Sequence, residues 1–194
     1  MNKKLIAITI FTLIITVCGY KLYALSNTTR VVVSPAYSSE VKDPKWFISV
    51  SDLIVTGKIV EEKKPAIGKD LLRNSDIVYT DYAFQVDKVL YNNTGKKVKT
   101  DEIIVIRTLG GATENLSTVT AGTGILNLNS NLLVGLSDTK KSIYVPSGDE
   151  TTYLLSGDFH GAYVITDDNT LTRAVTKEKF DLVDIMSQIK SKNK

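Results

Sequence analysis

The chain of 194 residues holds one cysteine, Cys18, and one histidine, His160. A lone cysteine leaves no partner for an intrachain disulfide and no thiolate metal site. A lone histidine excludes a zinc centre built from several imidazoles. No G-x-S-x-G elbow is present, so a serine hydrolase of that type has no nucleophile setting. Gly110-Gly111 and Gly122-Thr123-Gly124 lack the lysine and the strand-to-helix context of a phosphate loop. No D-x-D-x-D-G calcium loop occurs; Asp167-Asp168-Asn169 comes nearest and reads as a hairpin turn. No metal site and no cofactor is expected. A basic excess is also missing beyond the N-terminus. The formal charge is +3, but Lys3, Lys4 and Lys21 lie in the first 26 residues. Without them 21 basic side chains face 21 acidic ones. A nucleic-acid binder usually carries a positive surplus, so no nucleic acid is expected as partner.

What is present begins with an export signal. Lys3 and Lys4 precede an uncharged run from Leu5 to Val17. A short basic head before a brief apolar run is the layout of a secretory segment, which places the remainder outside the cytoplasmic membrane. Three fates are open to residues 1–26. Cleavage after Ala24-Leu25-Ser26 would leave Asn27 as the new start. Retention as an anchor would use residues 5–25, about the twenty needed to span hydrocarbon, with Lys21 snorkelling near the outer end. Lipidation at Cys18 would need a small residue before it, and Val17 stands there. The protein is therefore expected to be secreted or held at the outer face of the cytoplasmic membrane. About 168 residues then remain, enough for one core without disulfides.

Residues 27–45 read as a polar spacer with Pro35 and Pro44, in which Val31 to Val33 suit a short edge strand. Pro44 suits the first turn of a helix over 45–50. Residues 46–194 form a single predicted domain. Asp52 to Glu61 is β-branched with apolar groups on both faces, which predicts a central strand with a bend or a close backbone approach at Gly57. Asp76 to Tyr91 alternates strictly. Val78, Tyr82, Phe84, Val86 and Leu90 share one parity, and Asp81, Gln85 and Asp87 share the other, which predicts one wet face. About sixteen residues exceed a typical strand, so bending is expected. Asn92 to Lys97 suits a turn, and Glu102 to Arg107 the next strand. Residues 108–131 are rich in Gly, Thr and Asn and read as a long loop, with a short strand suggested at 124–128. Further strands are predicted at 131–136, 142–145, 151–155, 162–165 and 170–174. From Lys177 to Lys192 the period becomes helical. Leu182, Ile185, Met186 and Ile189 form a stripe widened by Phe180 and Val183, with Thr176 as cap. That helix is expected to pack on the strands.

The segments SDLIVTGKIVEE at 51–62, VYTDYAFQVDKVLYNNTGKK at 78–97, EIIVIRTLGG at 102–111 and YLLSGDFHGAYVI at 153–165 resemble a family of uncharacterised exported proteins of Gram-positive, spore-forming bacteria. More distantly the order is similar to netrin-like modules, which include the tissue inhibitors of metalloproteinases. The resemblance implies a mainly β (α+β) chain: a small, closed oligonucleotide/oligosaccharide-binding (OB) type β-barrel with a C-terminal helix, preceded by the N-terminal signal or anchor helix. It transfers no catalytic residue. The inhibitors chelate zinc through an N-terminal cysteine, and no cysteine lies near residue 27.

A non-catalytic binding module at the cell surface is the expected function, taking a protein, peptide or glycan as partner. The membrane is a further partner through residues 5–25 if they are retained. Candidate contacts are Asp81, Gln85 and Asp87 on the wet strand, Gly110, Gly111 and Asn115 in the long loop, and the sole histidine, His160. The alternatives are a loop-based inhibitor of an extracellular protease and a hydrolase using two carboxylates of separated pKa.

Overall fold

The computed structural model describes residues 29–33, 43–70, 74–120, 126–141, 148–166 and 170–192. The expected export segment 1–26, the strand at 142–145 and the turn at 167–169 lie outside the described residues.

The chain is mainly β, with two helices among the described residues. Strand β1 (Thr29–Val33) precedes helix α1 (Pro44–Val50). Pro44 opens that helix as expected, and Asp43 caps it by accepting the Lys45 amide at 2.8 Å. β2 (Leu53–Glu62), β3 (Ala66–Lys69), β4 (Asp76–Asn92) and β5 (Ile103–Leu109) follow. Next come β6 (Gly111–Ala112), β7 (Leu116–Thr120), β8 (Asn131–Asp138), β9 (Thr152–Leu155), β10 (Ala162–Ile165), β11 (Thr170–Arg173) and β12 (Lys179–Asp181). Helix α2 (Leu182–Lys192) ends the described chain.

The main sheet runs β12-β11-β10-β8-β2-β4-β5-β9. β9 pairs in parallel with β5 and antiparallel with β8, so β2, β4, β5, β9 and β8 pair in a cycle. β2 is central, as its two apolar faces require. A Cβ on Gly57 would stand 2.0 Å from the Gln85 carbonyl, which explains the glycine there. β4 changes partners along its length. β3 pairs its first residues and β2 its last ones, while β5 lines the other edge. One main core lies between the inner faces, built around Val55, Phe84, Ile104, Ile106, Val134 and Tyr153. A second core lies on the outer face of β2, β8 and β10, under the helices. There Phe47, Ile48, Ile185 and Ile189 meet Ile54, Leu133 and Tyr163. Both faces of β8 are thus covered, and Leu132 to Leu136 can be a continuous apolar run.

Several expectations need correction. The short edge strand expected at Val31 to Val33 is present as β1, which pairs in parallel with β7; β6 joins β7 from the other side in a separate three-stranded sheet that the sequence did not suggest. Residues 108–131 are therefore not one loop. Residues 126–128 are not in a strand, and 124–125 lie outside the described residues. The alternation of β4 does not persist to Leu90. The β2–β4 register shifts at Ile54/Val55 and at Thr56/Gly57, and Leu90 ends under the helices rather than in the main core. Each bulge adds a residue and exchanges the faces. The C-terminal helix begins at Leu182, not at 177, because Lys179 to Asp181 pair with β11 first. Its cap is Asp181, whose carboxylate accepts from the amides of Val183 at 2.6 Å and Asp184 at 3.3 Å. Thr176 instead bonds Glu178. Val183 leaves the expected stripe and is exposed.

Candidate functional site

The helices cover one part of the outer surface of the main sheet. The part formed by β4 and β5 carries no helix among the described residues, and its side chains stand in register. Lys58, Gln85 and Ile103 form one row across β2, β4 and β5. Glu61, Ala83 and Val105 form the next. Asp81 and Arg107 face each other beyond that, followed by Tyr79 and Leu109. Partners on a ladder point to the same side, so these four rows make one surface.

Asp81 is not a free carboxylate on a wet face. Arg107 donates from Nε to one of its oxygens at 2.7 Å and from a terminal nitrogen to the other at 2.8 Å. The two side chains are only 16% and 10% exposed. The guanidinium also lies 4.1 Å from the centre of the Tyr79 ring. The hydrogen bonds to Asp81 are the main cause of an arginine pKa above its usual value. A fork-to-carboxylate pair over an aromatic ring is rigid and locally neutral. It builds the surface and leaves little free charge for an anionic ligand.

The accessible chemistry lies further along the strands. Gln85 is half-buried, and Ile103 beside it is 55% exposed. Ala83, on the face expected to be wet, is nearly buried between Glu61 and Val105 in the ladder. Asp87 is exposed but lies where the register with β2 slips and beyond the last β5 partner. At about 3.4 Å per residue it stands roughly 20 Å along the strand from Asp81. The three polar residues of the expected face therefore do different things. Gln85 lies in the surface, Asp81 anchors it, and Asp87 lies past its edge.

Gly110 and Gly111 sit where β5 gives way to β6, with φ of +128° and +127°. Thr80 donates to the Gly110 carbonyl at 2.8 Å, and the Gly110 amide donates to Val78. A Cβ on Gly111 would press on Thr80 and Pro65. These glycines let the chain turn sharply against the start of β4. Asn115 is exposed between β6 and β7, and its carbonyl accepts the Thr29 amide at 3.2 Å. His160 belongs to a 3-10 turn, Asp158–Gly161, near Gly157, whose Cα packs under the Trp46 ring of α1. That turn packs against β8, β9 and β10. The candidates thus divide among three places rather than converging.

No group of three or more metal-ligating side chains occurs among the described residues. A shallow depression of about 450 Å³ lies at the β4–β5 turn, lined by Lys97, Lys99, Thr100, Asp101 and Glu102. Beside it Asp138 holds Lys96 at 3.3 Å, and that ammonium stands 5.1 Å from the Tyr153 ring centre. The Asp138 carboxyl is lowered, first by the Lys140 amide and then by Lys96. Burial raises the Tyr153 phenol, and it pushes the Tyr82 phenol up to about 12 with help from Glu62. These shifts describe structural pairs and shielded rings. No two carboxylates with separated pKa values meet in a cleft among them.

Arg107, Tyr79 and Ile103 are the surface residues that the sequence left unmarked. A signal for the first existed: Arg107 is the one charge in β5, and a charge inside an apolar strand usually needs a partner. Nothing in the sequence marked Ile103 as exposed. No model of a known family matches the chain, and no curated protein matches it.

Proposed function

We propose that the protein is a non-catalytic binding module that works outside the cytoplasmic membrane, secreted or tethered through residues 5–25. On this reading the cycle β2-β4-β5-β9-β8 is a small OB-type barrel. Five strands that return on themselves, with one parallel closure, support it. Barrels of this type bind across their second and third strands and the flanking loops. Those strands are β4 and β5 here.

The observation that carries the proposal is the end of the β4–β5 ladder at Gln85 and Ile103, which is part-exposed and carries no helix among the described residues. The Asp81–Arg107–Tyr79 anchor stiffens it, and Gln85 and Ile103 offer a polar and an apolar contact side by side. A near-neutral surface of that kind suits a glycan or a peptide of the cell surface better than a phosphate polymer. The balance of 21 basic and 21 acidic residues outside the first 26 agrees.

The test is co-sedimentation of the purified protein with isolated cell walls, before and after digestion of wall glycan or of wall protein. Retention that falls at least tenfold in a Gln85→Ala, Ile103→Ala double variant is expected, and the digestion that abolishes it names the ligand class. Equal retention by the double variant, or no retention by either protein, would remove the proposal. Turnover of a substrate by the purified protein would favour the hydrolase reading.

A further inference from the structure

Helix α1 has seven residues, too few to hold itself by its own hydrogen bonds. Its last turn leaves carbonyl oxygens unpaired and forms the negative end of its dipole. No basic residue of its own lies there. The charge comes from the other end of the chain. Nζ of Lys192, in the last turn of α2, donates to the carbonyls of Ile48, of Ser49 at 3.3 Å and of Ser51 at 2.8 Å. The same ammonium stands 4.2 Å from the centre of the Tyr91 ring. All three protons of the ammonium thus have acceptors. Burial lowers the Lys192 pKa, which Asp52 partly offsets. The group is held there against a desolvation cost, by the carbonyls and the ring.

Beneath α1 the sheet is apolar. Phe47 and Ile48 cover Ile54, Leu133 and Tyr163. A Cβ on Gly135 would meet the Ser51 hydroxyl at 2.3 Å and the Phe47 ring at 2.7 Å, so the helix lies directly on β8. Ser51 adds a hydroxyl bond to the Phe47 carbonyl at 2.6 Å. The helix is therefore a short cover over an apolar face, fastened at one end by a residue 141 to 144 positions away.

We propose that Lys192 is the catch of a latch: α1 opens and closes over the β2–β8–β10 face as a local unit, and the ammonium of Lys192 governs that opening. The open form withdraws Phe47 and Ile48 from Ile54, Leu133 and Tyr163, which keep Ile185 and Ile189 of α2, while the β4–β5 surface stays folded. The latch closes only when the last turn of α2 is in place.

Hydrogen exchange on the full chain tests this, with Lys192→Met, Lys192→Arg and, as control, Lys190→Met. Methionine keeps the stem and removes the donors. Lys192→Met should speed exchange of the amides from Ile48 to Ser51 by about tenfold or more. Those of β4 and β5 should not change. Arginine should restore part of the protection, and Lys190→Met should change nothing. Unchanged α1 amides in Lys192→Met, or equal acceleration in β4 and β5, would overturn the latch. If Lys192→Met does not fold, the parent protein decides. Exchange of the α1 amides at a rate independent of low denaturant supports local opening, and exchange only through global unfolding overturns it.

Discussion

The outer surface of the main sheet has two halves, and they were finished differently. Over β2, β8 and β10 it is apolar and sealed by α1 and α2. Over the β4–β5 ladder, from Tyr79 to Gln85 and from Ile103 to Leu109, it is mixed, carries no helix among the described residues, and contains the Asp81–Arg107–Tyr79 anchor. Both halves rest on the same inner core, so that core does not set the difference. The outward residues do. Ile54, Leu133 and Tyr163 must be covered, while Lys58 and Gln85 need not be. Burial under the helices stabilises the first half, and the second exposes Ile103 and part of Gln85.

The comparison breaks most sharply at Phe47, which is 1% exposed on the sealed half. Phe47→Ala should cost about 3–5 kcal/mol in urea unfolding, the usual range for a large buried ring. A loss below about 1 kcal/mol would mean that α1 is decoration rather than part of the core.

The anchor comes next. Arg107→Met removes both donors to Asp81 and leaves a carboxylate with 16% exposure unpaired. A loss of about 2 kcal/mol is expected, in the range of hydrogen bonds to charged groups. The same loss in Asp81→Asn would sharpen the account, since the asparagine amide also fails to accept from both arms of the fork.

Alkaline titration tests the inner core they share. The folded Tyr82 phenol is raised from 10.0 to about 12, first by burial and then by Glu62. A raised folded pKa means that the unfolded chain gives up its proton first. The contribution of Tyr82 is therefore fully present below pH 10 and is lost as pH rises towards 12. Stability should fall across that window, and Tyr82→Phe should flatten the fall. An unchanged profile in Tyr82→Phe would assign the effect to other groups.

The smallest effect belongs to the bare half. Ile103→Ala removes a side chain that is 55% exposed. It should change stability by less than about 0.5 kcal/mol in the same urea experiment. A larger loss would mean that Ile103 is covered by something and is not a contact surface.

The extent to which the sequence foretold this follows from the range of each interaction. Period-two patterning and turn residues located β2, β4, β5, β8, β9, β10 and β11, because those signals are local. The stripe of Leu182, Ile185, Met186 and Ile189 located α2 for the same reason. The helix start was misread because Lys179 to Asp181 are claimed by β11, a contact that no local pattern announces. Leu90 departs from the parity because the bulge opposite Thr56/Gly57, fixed by the partner strand, exchanges the faces of β4 before Leu90 is reached. β6 and β7 were read as loop because Thr-rich, short strands lack an apolar alternation. The site was legible only as a strand with polar residues. Which of them was already engaged depended on Arg107, 26 residues away, and Lys192 could not be linked to α1 from spacing at all.

The central proposal is that the part-exposed end of the β4–β5 ladder, at Gln85 and Ile103, is where a ligand rests. The most direct measurement is backbone NMR of the labelled protein during titration with solubilised cell-wall fragments. Shift changes should concentrate at Lys58, Gln85, Ile103 and their ladder neighbours, with α1 and α2 silent. Changes confined to the helices and the β2–β8–β10 face, with β4 and β5 unmoved, would contradict it.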